Sequence, residues 1–314
     1  MATATRAATL GGTPRKPPDR FRTVVSTIAV AAPLVLVVIV LVLIQQAGPA
    51  IKEFGLAFIW GTDWNPVTSS FGALPAIFGT VATSFIALAI ALPVGVAAAI
   101  ALAEQGQQRI RAVIGTGVEL LAAIPSVVYG VWALYVLAPW SLQHLETPIS
   151  DHLGFGLLQG PPGQTSLFTA SLVLAIMILP TLSAVSRDVI RAVPRGLREN
   201  AVALGATWWE TVWRVVLPSA RAGIFGAVIL ALGRALGETI AVTMVIGNRY
   251  EIPHSIFYPA YTLASVIANE FAEATGPIYP AALVALGLVL ILVTLTVNIV
   301  ALLLVRSTAA RAAI

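Results

Sequence analysis

Cysteine is absent from this 314-residue sequence, which excludes disulfides, thiol nucleophiles and thiolate metal sites. Charged residues are also scarce: 10% of the chain is Asp, Glu, Lys or Arg, whereas a soluble domain carries about 25%. Hydrophobic residues make up 58% of the chain, and the mean hydropathy is +0.91. This composition indicates an integral membrane protein that crosses the bilayer several times.

Lysine occurs at only two positions, Lys16 and Lys52. A P-loop needs Gly-Lys followed by Ser or Thr, but the residues before these lysines are Arg15 and Ile51. The chain therefore cannot supply a standard ATP site, and any ATP-driven activity must come from a partner. We expect this chain to have no cofactor and no enzymatic activity of its own.

Six apolar runs are long enough to cross a hydrocarbon core of about 30 Å. They cover residues 24–44, 74–103, 112–137, 167–186, 222–246 and 281–305. The first run follows a basic segment, as in a signal peptide, but it is long for one and no convincing cleavage site follows it. The sequence therefore predicts an all-α, polytopic membrane protein with six transmembrane helices.

Basic residues are unevenly shared between the two sides of these predicted spans. Of the 18 Lys and Arg residues, 15 lie in segments on one side, two lie on the other, and Arg234 lies within a span. Because basic residues concentrate on the cytoplasmic side, both termini and the polar segment 187–221 are predicted to be cytoplasmic. The same bias accounts for the net charge of +4, so we do not expect nucleic-acid binding.

Several features of the remaining segments have ordinary structural interpretations. Trp60 and Trp64 follow the first span and are expected to lie at the level of the lipid headgroups. Pro125 should kink or divide the third span. Residues 138–166 are rich in Gly and Pro and should form a surface loop, while residues 256–269 are predicted to form a short helix along the membrane. The three histidines match no metal-binding spacing, so we expect no metal site.

The polar segment 187–221 has helical periodicity. Ala201, Leu204, Trp208 and Val212 recur at three- and four-residue intervals, which predicts one face of an amphipathic helix. Gly205 is expected to leave room for close packing at a bend. Pro218 would suit the first turn of a following helix. On this pattern alone, an amphipathic helix lying on the membrane surface is an alternative interpretation.

The same segment resembles the cytoplasmic EAA loop of bacterial ABC-importer permeases. Glu199 begins an Ala-containing triplet that is followed, after three residues, by Gly205 and, after nine more, by Val215 and the pair Leu217 and Pro218. Asparagine and valine replace the Ala and Ile of the family pattern at positions 200 and 215. In that family the loop forms two short helices that dock in a groove on an ATPase subunit.

The fifth apolar run contains two charges, Arg234 and Glu238, followed by Thr239. A charge at the bilayer centre costs on the order of 3 kcal/mol, so such residues normally face a partner or a water-filled path. Four residues apart in a continuous helix, the two charges would share one face, beside a strip of glycines suited to close helix packing. We predict that these three residues line a substrate pathway; a structural ion pair without a solute role is the alternative.

Three segments together resemble the PstC-type permease family of the bacterial phosphate ABC importer. They are residues 119–130, 199–218 and 233–248, and the resemblance extends over about residues 60–305. The resemblance implies an ABC type I importer permease fold in the bacterial plasma (inner) membrane. It also implies that the chain forms half of the pore of an ATP-driven importer of inorganic phosphate.

The family resemblance also implies partners and residue roles. The partners are a PstA-type permease subunit, a PstB-type ATPase dimer that binds ATP and Mg, a PstS-type phosphate-binding protein and the membrane lipid. The ATPase-coupling residues would be Glu199, Ala201, Gly205, Leu217 and Pro218. Arg234 would contact phosphate transiently, and Glu238 would keep that binding weak enough for release. Alternatives are a permease for another oxyanion, such as sulfate, molybdate or phosphonate, or a stand-alone secondary transporter.

The predicted organisation has four parts. Residues 1–23 form a disordered, basic cytoplasmic tail, and residues 24–45 form the first transmembrane helix. Residues 74–305 form a permease core of five transmembrane helices that contains the cytoplasmic coupling segment, residues 187–218. Residues 306–314 form a second cytoplasmic tail.

Overall fold

A computed structural model describes residues 20–104, 108–153 and 156–310, and it divides the chain into two compact units. The first unit, up to residue 45, contains most of helix α1 (Arg20–Gln46). The stretch Arg22–Gln46 is apolar and long enough to cross a membrane. Helix α1 begins at Arg20 rather than at residue 24; residues 1–19 of the predicted tail lie outside the described residues.

The second unit holds the other helices and one small hairpin. The first half comprises α2 (Gly48–Phe54), α3 (Ala57–Trp60), β1 (Trp64–Asn65), β2 (Ser70–Phe71), α4 (Leu74–Glu104), α5 (Gln108–Ala123), α6 (Ser126–Trp132), α7 (Ala138–Ser141) and α8 (Thr147–Leu153). The second half comprises α9 (Leu167–Ala192), α10 (Arg195–Ala203), α11 (Trp208–Thr211), α12 (Leu217–Leu236), α13 (Ile240–Val245), α14 (Leu263–Glu270) and α15 (Ile278–Ala310). Strands β1 and β2 pair antiparallel. The fold is all-α apart from this hairpin.

By length and composition, five of the described helical segments are able to cross a membrane. They are α1, α4, α9, the segment Trp208–Leu236 that includes α12, and α15. A sixth span is present if α5 and the helices after it count as one bent crossing. The predicted polytopic, helical membrane architecture is confirmed.

Helix α9 lies at the centre of the second unit, where it packs against α4, α12, α13 and α5. Its buried face is a row of Ala, Val, Leu and Ile side chains that belong to the largest hydrophobic cluster. Helix α4 approaches it closely because small residues face the contact. A Cβ at Gly95 would lie 2.9 Å from a methyl group of Leu182. Without a hydrophobic driving force in lipid, such small-residue contacts are a main source of helix association.

The third apolar run is divided at Pro125, as predicted. Helix α5 ends at Ala123, α6 begins at Ser126, and the two are bent by 93°. The helix that starts at Ser126 then continues to Leu153, so the prediction of a surface loop beginning at residue 138 is wrong. Glycine and proline in this region misled the sequence-based interpretation, since Pro139 lies inside the helical run.

Two prolines are accommodated in this run by π-helical turns. The turn Ala133–Leu137 precedes Pro139, and the turn Leu142–Glu146 precedes Pro148. A proline has no N–H, so the carbonyl four residues before it loses its usual donor. Hydrogen bonding shifts to partners five residues apart, and the helix continues past each proline without ending.

The same region contains a buried carboxyl group that the sequence did not reveal. Glu146 is fully buried, and its Oε1 accepts hydrogen bonds from the hydroxyls of Ser141 (3.0 Å), Ser166 (3.3 Å) and Thr169 (2.6 Å). Ser166 is also the N-cap of α9, where its Oγ accepts the N–H of Thr169. The carboxyl therefore fastens the segment Leu142–Glu146 to the start of the central helix.

An aromatic cluster closes the end of the second unit that carries the hairpin. The Trp64 ring contacts Phe71 and Tyr250, with centroids 4.8 and 5.2 Å away. Its indole N–H and the Tyr279 hydroxyl both donate to Oε2 of Glu270. Trp64 is thus a packed, half-buried residue, whereas Trp60 is exposed; their location at the level of the lipid headgroups stays a prediction.

Two other tyrosines of this region stay neutral over the physiological pH range. Burial raises the pKa of Tyr250, and burial raises the pKa of Tyr261 to about 12. The Tyr250 hydroxyl donates to the carbonyl of Gly72, and that of Tyr261 accepts from Asn269. Helix α14 is shorter than the predicted helix 256–269, since Pro259 cannot supply a helical N–H.

Replacing Glu270 with alanine is expected to lower the free energy of unfolding by about 2 kcal/mol or more. The change leaves the Trp64 indole and the Tyr279 hydroxyl without their acceptor in a part-buried site. Thermal unfolding of the full chain in detergent measures the effect. The control is Glu273→Ala, which removes an exposed carboxylate three residues away. Equal midpoints for the two variants would contradict this role for Glu270.

Candidate functional site

A Schellman motif closes the turn between α10 and α11 in the coupling segment. Gly205 has a φ of +87° and donates its N–H to Val202 (2.9 Å), while Ala206 donates to Ala201 (3.1 Å). No described neighbour lies within 4 Å of a Cβ placed on Gly205. The left-handed backbone therefore favours glycine here, and no described residue makes the close packing that we predicted at this position.

A capping box starts the next helix. The Thr207 hydroxyl accepts the N–H of Glu210 (3.3 Å), and Oε2 of Glu210 accepts the N–H of Thr207 (2.9 Å). The helix then passes through the π-helical turn Val212–Val216 into α12, with Pro218 in the first turn of α12. The coupling segment thus forms two helices joined by a tight turn, and the prediction of one amphipathic helix from Ala201 to Val212 is wrong.

The five predicted coupling residues lie in different environments. Glu199, Gly205 and Pro218 are exposed, Leu217 is half-buried and Ala201 is buried. Ala201 and Gly205 line a groove of about 530 Å³ between α10 and the helix that follows. Leu204 also lines this groove and is 89% exposed. An apolar side chain left so open at a tight turn favours contact with another protein.

Arg198 attaches the coupling segment to the ends of two long helices. Its guanidinium forms an ion pair with Glu104 at the end of α4 (2.7 Å). It also donates to the backbone carbonyls of Ile190 (2.8 Å) and Val193 at the end of α9. Arg191 adds a hydrogen bond to the carbonyl of Leu102 (2.9 Å). These contacts connect α10 directly to α4 and α9.

Replacing Arg198 with methionine is expected to lower the free energy of local unfolding of α10 by about 3 kcal/mol. The variant keeps the apolar stem but leaves Glu104, with 12% of its side chain exposed, without its cation. Amide hydrogen exchange should become about 100-fold faster in residues 195–206, because each tenfold change corresponds to about 1.4 kcal/mol.

The matched control for this prediction is Arg195→Met, three residues earlier in the same helix. Arg195 is exposed and has no hydrogen bond or ion pair with any described residue. Its replacement should leave exchange in α10 within about threefold of the wild-type rate. Equal acceleration in the two variants would show that the Arg198 contacts do not hold the segment.

The fifth apolar run is not a continuous helix. Helix α12 ends at Leu236, Gly237 lies at its C-cap, and α13 begins after Thr239. The prediction that Arg234 and Glu238 share a helical face is therefore wrong, and the described side chains of these two residues form no ion pair. Glycine at position 237 lowers helix propensity at this point, which explains the interruption.

The three predicted pathway residues gather around this interruption. Arg234 is exposed in the last turn of α12, and its guanidinium has no hydrogen bond to a described residue. Glu238 and Thr239 are half-buried, and the Thr239 hydroxyl donates to the carbonyl of Gly237 (3.4 Å). A cation in the last turn of a helix is stabilised by the helix carbonyls, so Arg234 is favoured at this position even without a carboxylate partner.

Polar side chains from other helices lie close to the interruption, and sequence reasoning missed them. The Thr243 hydroxyl donates to the carbonyl of Thr239 (2.7 Å) and lies within hydrogen-bonding distance of Ser265 Oγ (2.9 Å) on α14. On the other side, Nδ2 of Asn298 in α15 is 3.7 Å from a Cβ placed on Gly233. Short polar side chains beside an interruption that carries an unpaired guanidinium are suited to transient contact with an anion.

These features define a class of protein before any comparison is made: the helical membrane component of a transporter, with a polar interruption in one span and a capped helical pair outside it. Residues 91–311 match the model of the family described as "Binding-protein-dependent transport system inner membrane component". The chain belongs to this family, and within it to the phosphate transport system permease proteins named PstC. It is a multi-pass inner-membrane protein.

Sequence relatives match over most of their length. The chain is 48% identical to "Phosphate transport system permease protein PstC" of Mesorhizobium japonicum, over 88% of this chain and 87% of the relative. It is 45% identical to the protein of the same name from Pasteurella multocida, over 88% of each chain. A relative from Mycobacterium tuberculosis, "PstC 1", is 39% identical over 82% of this chain and 83% of its own.

Solved structures of transporters share the fold. A bacterial alginate ABC transporter, solved in complex with an alginate pentasaccharide-bound periplasmic protein, matches with a TM-score of 0.59 and 16% identity over 90% of this chain and 93% of its own. The inward-facing MetNI methionine ABC transporter matches with a TM-score of 0.52 and 17% identity, over 74% of this chain and 94% of its own. At these identities the likeness establishes the ABC type I importer permease fold, as predicted.

Proposed function

We propose that this chain is the permease subunit of an ATP-driven importer of inorganic phosphate and forms half of its translocation pore. The observation that carries the proposal is the 45–48% identity, over 88% of the chain, to relatives named phosphate transport system permease proteins. The interrupted span with its free Arg234 supports an anionic substrate.

The coupling segment is the proposed docking site for a separate ATPase, a PstB-type dimer that binds ATP and Mg. This segment would lie in the cytoplasm together with both termini, including the tails 1–23 and 306–314, because basic residues concentrate on that side. Its groove of about 530 Å³ and the exposed Leu204 offer a surface that an ATPase can engage. Docking would act through Glu199, Ala201, Gly205, Leu217 and Pro218.

Two further partners complete the proposed importer. A PstA-type permease subunit would supply the other half of the pore beside the core at residues 74–305. A PstS-type phosphate-binding protein would dock on the opposite side of the membrane from the coupling segment. ATP-driven closure of the ATPase dimer would move α10, and the Arg198 contacts with α4 and α9 would pass this movement to the pore.

Within the pore, Arg234 would make a transient contact with phosphate, with Glu238 and Thr239 beside it. A guanidinium suits an oxyanion because its N–H donors match pairs of phosphate oxygens. Glu238 would repel a second anion and limit the affinity, so that the ion leaves on the cytoplasmic side. This assignment is supported by the exposure of Arg234 and by its lack of a partner among the described residues.

The experiment that tests the function uses the chain co-expressed with candidate PstA-type and PstB-type subunits in lipid vesicles, with the binding protein added. ATPase activity is recorded with phosphate, sulfate and molybdate in turn. We expect stimulation by phosphate alone. Stimulation by another oxyanion would keep the importer class and overturn the substrate. Failure to assemble with an ATPase would favour a stand-alone secondary transporter.

A further inference from the structure

A long apolar groove lies on the second unit between α4 and the helix that runs from α11 into α12. Its volume is about 780 Å³, which is within the range of small-molecule sites. Ala97 and Ala101 form its floor on α4, where their small side chains leave the space open. Both walls belong to segments able to cross a membrane. The groove therefore runs along the lipid-embedded part of the protein.

The other wall of the groove is a regular ridge. Trp209, Trp213, Leu217, Arg221 and Phe225 line it and recur every four residues, the spacing of neighbouring side chains along one helix face. Among the described residues that line the groove, Arg221 is the only charged one. Its guanidinium has no hydrogen bond or ion pair with any described residue, although apolar side chains precede and follow it on the ridge.

The tryptophans fix the depth of this charge relative to the membrane. Trp209 and Trp213 are each 53% exposed, and their rings contact edge to face with centroids 5.6 Å apart. Exposed tryptophans of this kind concentrate at the level of the lipid headgroups. Arg221 lies eight residues after Trp213, about 12 Å further along the helix, so its long side chain can extend part of the way back towards that level.

We propose that this groove binds an anionic phospholipid, with an acyl chain along Ala97 and Ala101 and the headgroup phosphate on Arg221. The groove follows α4 from Leu92 to Ala101, a distance of ~14 Å, which accommodates much of one acyl chain. A phosphodiester supplies the acceptor that Arg221 lacks within the described chain. The lipid belongs to the membrane leaflet on the side of the coupling segment. That this leaflet is the cytoplasmic one rests on the proposed function.

Lipid binding at this site would make the position of the coupling segment depend on the charge of the lipid headgroup. The ridge begins in α11, directly after the capped turn at Gly205, and ends in α12. A lipid held between this ridge and α4 stabilises the position of the helix that carries the movement of the ATPase into the membrane. Occupancy therefore favours one arrangement of the two walls over others.

The test measures lipid binding to the full chain, purified in a non-ionic detergent, by native mass spectrometry and thermal unfolding. Phosphatidylglycerol is compared with phosphatidylcholine of identical acyl chains. We expect Arg221→Gln to bind phosphatidylglycerol about fivefold more weakly and to bind phosphatidylcholine normally. Ala101→Trp fills the groove and should weaken binding of both lipids.

Two controls match these variants. Arg214→Gln removes an arginine that lines the groove of the coupling segment instead, and Val94→Trp adds a large side chain to an exposed position of α4 outside the lipid groove. Both should bind phosphatidylglycerol like the wild type. Equal weakening by Arg221→Gln and Arg214→Gln, or normal binding by Ala101→Trp, would overturn the proposal.

A third outcome identifies a different occupant. If addition of the second permease subunit displaces phosphatidylglycerol from the wild-type chain, the groove is a protein interface and the lipid proposal fails. The assay contains neither ATPase nor phosphate, so its result is independent of the substrate. Failure of the phosphate test would therefore leave a positive lipid result intact, and the reverse also holds.

Discussion

Substituting valine for Gly205 should reduce coupling to the ATPase by at least about tenfold while the membrane helices stay folded. The residue has a φ of +87°, which a β-branched side chain adopts only at a cost of roughly 1–2 kcal/mol or more. Relief of that strain rotates α10 against α11 and opens the bonds from Gly205 to Val202 and from Ala206 to Ala201. Binding of the purified ATPase to vesicles that contain the permease measures the loss.

Two substitutions separate backbone strain from side-chain size. Gly205→Asn introduces a side chain that tolerates the left-handed region, so it should retain most of the coupling. Gly196→Val adds the same valine to α10 at a position with ordinary helical backbone and no neighbour within 4 Å of a new Cβ. If Gly196→Val weakens ATPase binding as strongly as Gly205→Val, bulk near α10 and not the turn at Gly205 governs docking.

Local patterns were sufficient to predict the membrane architecture, whereas the coupling role of residues 187–218 stays a prediction. Apolar runs must match the bilayer thickness, so their lengths and the break at Pro125 follow directly from the sequence. The glycine of the coupling segment was correctly placed at a bend. The physical reason for this glycine was predicted wrongly. A position that needs a positive φ and a position that needs space for close packing are both occupied by glycine, so the sequence does not distinguish them.

Contacts between distant residues could not be predicted from the sequence in the same way. The ion pair of Arg198 with Glu104 joins positions 94 residues apart, and neither residue is distinguished by a motif. Glu146 lay in a segment assigned to a surface loop, and only the packing of Ser141, Ser166 and Thr169 around it reveals its burial. Contacts between residues so far apart produce no periodic pattern in the sequence, so a single sequence does not reveal them.

The interrupted span shows a second kind of feature that the sequence alone did not predict. The apolar run at positions 222–246 suggested one helix, because a sequence of apolar residues looks the same whether or not the helix is interrupted. The break at Gly237 changes the chemistry of the site, since Glu238 no longer lies one turn after Arg234 on a continuous helix. Arg234 consequently has no carboxylate partner among the described residues, whereas the predicted arrangement placed Glu238 beside it to weaken its contact with phosphate.

Substituting glutamine for Arg234 is therefore expected to reduce phosphate uptake by at least about tenfold at low phosphate concentration. A hydrogen bond to a charged group contributes about 1.5–3 kcal/mol, and each 1.4 kcal/mol corresponds to a factor of ten. The effect on folding should be small, since a cation at an exposed helix C-terminus contributes about 0.3–1 kcal/mol. Uptake of radioactive phosphate into vesicles that contain the assembled importer provides the measurement, with membrane insertion verified for each variant.

Charge and position are separated by three further variants. Arg234→Lys keeps the positive charge without the planar fork, so uptake should fall less than in Arg234→Gln. Glu238→Gln removes the nearby negative charge and should slow release of phosphate. Arg249→Gln removes an exposed arginine whose guanidinium pairs with Glu251 at 2.9 Å, and it should transport normally. Wild-type uptake by a stably inserted Arg234→Gln variant would place the anion path elsewhere, and the polar side chains Thr243, Ser265 and Asn298 around the interruption would then be the residues to change.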